Sequence, residues 1–508
     1  MAILARAVIL TAALLVTAPL AAVAFRAGGL RLSMPDLAAL RFTLLQAGLS
    51  ALISVALAVP VARALARRRF PLRGLLITLM GAPFLLPVIV AVIGLITVFG
   101  RSGWVNSGLA ALGLPGFSIY GLHGVVIAHV FLNLPLAVRM ILQSWLSVPS
   151  ERFRLAASLG FGPRDIARHI ERPMLISVLP GALATVFAIC LTSFAVALTL
   201  GGGPRATTLE LAIYQAIRFE FDLGHAAGLS LIQTGIGALA ALLAWRLASA
   251  PGFGAGLDRA LPLLAPPGWR RLADAVWLLL AAAFLLLPLL ALILRGLPGL
   301  AELPPSLWGA SLRSVLVALI STLVTVAAGL VLALAVARSG ARGMELTAVL
   351  PLAASGLVLG TGLFLIARPF ASPGQLALPV TVLVNALMAL PFVYRLLITD
   401  ARALEADYGR LAASLDLSGL ARLRYLTLPR LARPLGFAAG VAAALSMGDL
   451  GVIALFASGQ EATLPLLVQQ LMGAYRTEAA AAAALVLITL SFGLFWIFDA
   501  GGRHVQAR

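Results

Sequence analysis

Apolar residues come in continuous runs of about twenty, separated by short polar stretches, from one end of the chain to the other. Twelve runs read as helical spans, near 7–25, 42–65, 74–100, 121–146, 174–202, 224–248, 272–295, 310–337, 346–368, 376–398, 434–457 and 478–499. At 1.5 Å per residue such runs reach across a hydrocarbon core of about 30 Å. They lack the period-2 alternation that a membrane barrel needs. The pattern predicts an all-α integral membrane protein. The first run, behind Arg6 and up to Phe25, has the outline of a signal peptide, with Ala-rich sequence at Ala21–Ala24. We read it as a retained span, because the topology below requires it.

The polar stretches repeat. Pro135 to Pro173 aligns with Pro391 to Pro429 at an offset of 256 without a gap, and the shared core reads Arg-Leu-Ala-Ala-Ser-Leu at 154–159 and 410–415. Ser50–Arg63 likewise aligns with Ser321–Leu334, Arg67 with Arg338, Pro83 and Gly94 with Pro351 and Gly362, and Thr208 with Thr463. The expected organisation is a first half at 1–250, a Pro/Gly-rich linker at 251–271 and a second half at 272–508. Six spans per half is an even number, so the repeats are parallel, about an axis along the membrane normal.

Composition sharpens this. The chain is 61% hydrophobic and 11% charged, with mean hydropathy +1.04. All 37 basic residues are arginine. With the N-terminus inside, 27 of them fall on the cytoplasmic side, including both repeated loops. The net charge of +18 is therefore a topology signal and does not suggest nucleic acid. Without lysine there is no P-loop, so any ATP that drives transport is hydrolysed by another chain. Cys190 is the single cysteine, which excludes intrachain disulfides and cysteine-based metal sites.

Each repeated loop reads as two short helices joined by a turn. In the first, Pro149-Ser150-Glu151 starts a helix, and Leu155, Ala156 and Leu159 form a small apolar face. Gly160 and Gly162 permit a left-handed turn, and Pro163 suits the first position of the next helix. Two matched Arg-rich loops in so apolar a chain suggest docking elements for two copies of one partner.

The loops resemble the cytoplasmic EAA loop of ATP-binding cassette (ABC) importer permeases: Glu-Ala-Ala, three residues, then Gly. Arg154, Leu155, Ala156 and Gly160 occupy those positions in the first half, and Arg410, Leu411, Ala412 and Asp416 in the second. Both lack the Glu. The second lacks the Gly, although Asp tolerates a left-handed turn better than most residues. The resemblance implies a type I permease fold, with coupling loops at 150–173 and 406–429 that seat on two copies of an ATPase subunit. ATP and Mg would be used by that partner, and this chain would bind no cofactor. A periplasmic substrate-binding protein and a bacterial inner membrane location, with both termini cytoplasmic, are also implied. A fused permease of two six-span halves looks like the thiamine or ferric-iron branch. Ser446–Phe456, Thr463–Leu467 and Gln470–Arg476 are most similar to thiamine permeases. The expected function is translocation of thiamine or thiamine pyrophosphate, with ferric iron as the alternative. An ion-coupled secondary transporter is the rival from another class, but it would not need paired docking loops.

Within the spans Asp449 stands out, because a carboxylate at a helix centre costs about 2.5–3.5 kcal/mol on insertion scales. It either draws a cationic substrate along the pathway, with Phe194 at the matched position, or bonds to a neighbouring helix. His129 and Asn133 share a helix face and read as interhelical hydrogen-bond partners. Gly94, Gly360 and Gly362 read as sites of close helix packing.

Overall fold

A computed structural model describes residues 2–27, 32–81, 85–203, 206–247, 268–340, 344–345, 348, 350–457 and 461–506. Every regular element among them is helical. The first half contains α1 (Ala2–Arg26), α2 (Met34–Arg67), α3 (Val88–Phe99), α4 (Leu122–Leu146), α5 (Ser150–Ser158), α6 (Arg172–Leu191), α7 (Phe194–Leu200), α8 (Leu209–Arg218) and α9 (Leu223–Leu247). The second contains α10 (Trp269–Gly299), α11 (Ser306–Ser339), α12 (Gly356–Ala367), α13 (Pro373–Ser414), α14 (Leu428–Met447), α15 (Gly451–Phe456), α16 (Leu464–Gly473) and α17 (Thr477–Gln506).

Eleven helical stretches among the described residues are long and apolar enough to cross a membrane. The span expected at 346–368 is not one of them. Its helix, α12, has only 12 residues, because Ser355 caps it by accepting from the Val358 amide. The matched α3 is also 12 residues long, with Pro87 as its cap. With Trp104–Ala111 behind it, α3 makes a stretch long enough to span, and α12 lacks such an extension. Of the expected linker, 251–267 lies outside the described residues, and Trp269–Arg271 belongs to α10. Pro83 also lies outside them.

The first helix of each half lies on the other half: α1 packs on α12, and α10 on α3. Glycines permit both crossings. A Cβ on Gly94 would lie 2.5 Å from the Pro288 carbonyl oxygen, and one on Gly362 would lie 2.5 Å from Pro19 Cβ. Pro19 and Pro288 are matched, like the two glycines. Prolines inside membrane helices leave a carbonyl without its intrahelical amide, and close backbone contact is possible only against glycine.

The outer ends repeat as well. The first amides of α8 and α16, at Leu209 and Leu464, donate to Thr43 Oγ1 of α2 (2.9 Å) and Ser314 Oγ of α11 (2.7 Å). One helix hydroxyl thus satisfies an orphan amide in each half.

Candidate functional site

The two repeated loops share a path but not a construction. Pro149 ends the first loop's connection to α4, so α5 is a separate short helix. The matched residue is Glu405, which keeps its amide hydrogen, and α13 runs on for 42 residues into the loop. The expectation of two short helices therefore holds for the first loop only. Gly160 turns left-handed at φ +68°, and Asp416 does the same at +51°. Gly162 does not: its φ is −75°, and its amide instead donates to Asp165 Oδ2 at 3.0 Å, capping a turn that starts at Pro163. Each loop then re-enters the bundle through a π-helical turn, at Ala167–Glu171 and Leu423–Thr427. The amides of Arg172 and Leu428 reach back five residues, just ahead of prolines 173 and 429, which donate nothing.

The loop side chains sort cleanly. Leu155, Leu159, Leu411 and Leu415 are 54–62% exposed, each pair four residues apart on one helix face. Arg154 and Arg410 are exposed beside them. Ala156 and Ala412, expected on that apolar face, instead turn inward at 3% and 1% exposure. A helix residue one position from an outward leucine is rotated by about 100°, and here that rotation points it into the protein.

Each loop is tied to the second helix of its own half by a different ion pair. Arg63 of α2 holds Glu171 at 2.6 Å. In the second half Glu405 bridges Arg338 of α11 (3.4 Å) and Arg422 (2.7 Å). The end of α2 also reaches across the molecule: Arg67 and Arg68 both bond Asp274 of α10, with Arg67 Nε at 3.0 Å and Arg68 Nε at 2.7 Å. This buried cluster joins the two halves at the end of the bundle that carries the repeated loops.

The fifth span of each half is broken near its middle. α6 stops at Leu191 and α7 starts at Phe194; α14 stops at Met447 and α15 starts at Gly451. Breaking a helix frees carbonyls, and side chains must satisfy them. Gln46 donates to the Cys190 carbonyl (3.0 Å), and Gln233 to that of Leu191 (2.9 Å). Ser50 Oγ lies 3.3 Å from His129 Nδ1, and Asn133 donates to the His129 carbonyl and to Cys190 Sγ. In the second half Ser321 and Asn385 converge on Ser446 Oγ at 2.8 and 3.0 Å. By the offset of 256, Asn385 matches His129 and Ser446 matches Cys190, so each half carries a polar knot at its break. His129 and Asn133 serve these knots.

Asp449 does not sit at a helix centre as expected. It lies in the break, where its carboxylate accepts from the first backbone amides of α15. That placement offsets the insertion cost, since helix N-terminal amides stabilise a negative charge. Its Oδ2 has no hydrogen-bond partner among the described residues. Phe194 of the other half lies against the start of α15: a Cβ on Gly451 would lie 3.6 Å from the Phe194 ring. Tyr214 of α8 adds a second ring, 5.2 Å from Phe194 between centroids. The structure thus brings Phe194 and the Asp449 segment together across the interface.

Glu210 was not anticipated. It is 1% exposed on α8, a short outer helix that does not span the membrane, and Gln233 donates to it at 3.3 Å. Burial pushes its carboxyl up to about 7, against hydrogen bonds from Ser355 of the second half and from Gln233. The available signal was its register: Glu210, Ile213 and Ile217 fall on one helical stripe, so a carboxylate there is buried with the isoleucines. Arg218, one turn beyond Tyr214, crosses to the Ala457 carbonyl at 3.0 Å.

A duplicated helical bundle, with each first helix laid across the opposite half, paired polar loops and broken helices meeting between the halves, defines the permease subunit of an ABC transporter. No protein-family model matches the chain. It is 40% identical over 487 residues to the thiamine transport system permease protein ThiP of Salmonella typhimurium, covering 92% of this chain and 89% of that protein. The Brucella abortus protein of that name is 40% identical over 474 residues, covering 90% and 86%. That of Haemophilus influenzae is 33% identical over 467 residues, covering 89% and 86%. The chain belongs to the family of thiamine transport system permease proteins.

Proposed function

We propose that this chain carries thiamine or its phosphate esters across a bacterial inner membrane, with both termini cytoplasmic. Two copies of an ATPase subunit seat on loops 150–173 and 406–429, and a periplasmic binding protein delivers substrate at the outer face. The observation that carries this reading is the pair of exposed leucines repeated at matched positions on the two loops. ATP and Mg act on the partner, and this chain contributes no nucleotide site. ATPase closure moves the loops, and the ion pairs at the ends of α2 and α11 pass that motion to the bundles. The halves then rock about the interface where α7 and α15 meet. A ferric ion has no use for an aromatic pair, whereas a flat organic cation gains from rings beside a carboxylate. Phe194, Tyr214 and Asp449 are therefore assigned to the pathway.

The test is uptake of labelled thiamine, thiamine pyrophosphate and ferric iron into vesicles holding the complete complex. ATP-dependent thiamine uptake is expected. Uptake driven by an ion gradient without the ATPase, or uptake of iron in place of thiamine, overturns the reading. Asp449→Asn keeps the shape of the break and removes the charge; about a tenfold rise in the thiamine concentration for half-maximal uptake is expected. Wild-type kinetics in a normally inserted Asp449→Asn protein would remove Asp449 from the pathway.

A further inference from the structure

The internal duplication supplies its own control for one feature that transport leaves unexplained. Between the arms of the first cytoplasmic loop and the inner ends of α4 and α6 lies a cavity of about 500 Å³. That is the size of a small-molecule site. Its walls include Met140, Gln143, Arg152, His169, Met174 and Ser177, and no acidic residue lines it. Neither the Arg152 guanidinium nor the Gln143 side chain has a protein partner among the described residues. His169 Nδ1 lies 3.0 Å from the Asp165 carbonyl, which can only accept, so Nδ1 carries a proton there.

The second loop closes the matched space with its own side chains. By the offset of 256, Arg152 corresponds to Tyr408 and Met174 to Arg430. Arg430 stacks over the Tyr408 ring at 4.6 Å, so one arm of the loop is joined to the bundle. Pro149 corresponds to Glu405, which binds Arg338 and Arg422 in the same region. Loop two is thus braced internally at positions where loop one is open, basic and unpartnered.

We infer that the cavity beside Arg152 is a cytoplasmic binding site for a phosphate-bearing anion, which braces the first loop as the Arg430–Tyr408 stack braces the second. A guanidinium presents a fork that matches phosphate oxygens, and the Gln143 amide adds neutral donors. The apolar flanks, Met140 and Met174, suit a ligand with a carbon portion next to its phosphate. A soluble organic phosphate and an anionic lipid headgroup share this chemistry.

The experiment uses the full chain with its ATPase partner in nanodiscs of phosphatidylcholine alone, titrated with inorganic phosphate and with pyrophosphate and followed by calorimetry. A second preparation contains phosphatidylglycerol, and lipid retained by the complex is read by native mass spectrometry. Two variants are compared with the wild type. Arg152→Gln removes the charge, and Arg152→Tyr combined with Met174→Arg fills the cavity with the side chains of the second loop. The expected result is saturable binding of pyrophosphate or retention of phosphatidylglycerol, weakened about tenfold to a hundredfold by Arg152→Gln and abolished by the filling variant. Binding in phosphatidylcholine identifies a soluble phosphate, and retention of phosphatidylglycerol alone identifies a lipid headgroup. If neither probe binds the wild type, or if both variants bind as the wild type does, the site is refuted. Because the readout is binding, that result would leave the transport assignment standing.

Discussion

The cluster of Arg67, Arg68 and Asp274 gives the sharpest test of how the halves are held together. The three side chains are 9%, 15% and 5% exposed, and the contact joins α2 of one half to α10 of the other. Asp274→Asn removes the carboxylate that Arg67 and Arg68 share. Breaking a buried pair in this way costs about 3–5 kcal/mol, because the remaining charge stays desolvated. Arg68, the more exposed of the two, recovers part of this from solvent, which places the expected loss near 3 kcal/mol, about a hundredfold in equilibrium. Replacing both arginines with Gln as well removes the two like charges left close together. The triple variant should therefore be more stable than Asp274→Asn alone by about 2 kcal/mol, although it has lost more native contacts. The assay is reversible unfolding of the full chain in mixed micelles with increasing sodium dodecyl sulfate. Independent sites add to within about 0.5 kcal/mol. If the triple variant is no more stable than Asp274→Asn, the charges are not coupled and the clamp does not exist.

Three further outcomes follow from the geometry. Leu155→Asp with Leu159→Asp, or Leu411→Asp with Leu415→Asp, should leave insertion intact and abolish co-purification of the ATPase; Ala156→Trp should instead lower the yield of folded permease, because Ala156 is packed inside the protein. Gly362→Leu should cost about 1–3 kcal/mol by driving α1 off α12 at Pro19, measured as a lower unfolding midpoint, and a wild-type midpoint would refute that crossing. Glu210, held near 7 against an ordinary value of 4.5, binds its proton more tightly in the folded state. Its stabilising share is complete below about 4.5 and is lost as pH rises through about 7, so thermal midpoints should fall from pH 5 to pH 8, and Glu210→Gln should flatten that slope. Equal slopes in the two proteins would exclude Glu210 as the titrating group.

Hydropathy and duplication made the class of fold and the paired loops legible from the residues alone. These depend on one-dimensional quantities: the length of an apolar run and a fixed offset between copies. The left-handed turn at Asp416 was legible for the same reason, since it depends on one residue's backbone preference. What the sequence could not decide was rotation and partnership. Whether Leu155 or Ala156 faces outward depends on about 100° of helix rotation, which is set by whatever packs behind it. Asp449 reads as a charge inside a span until the break places α15 amides against its carboxylate. The crossing of α1 and α10 onto opposite halves brings together residues about 190 to 340 positions apart (Gly94 with Pro288, Pro19 with Gly362), and no periodicity records such distances. The two loops are near copies in sequence, yet one proline at 149 in place of Glu405 separates a short helix from a continuous one. It leaves open beside Arg152 a space that only the tertiary structure could reveal.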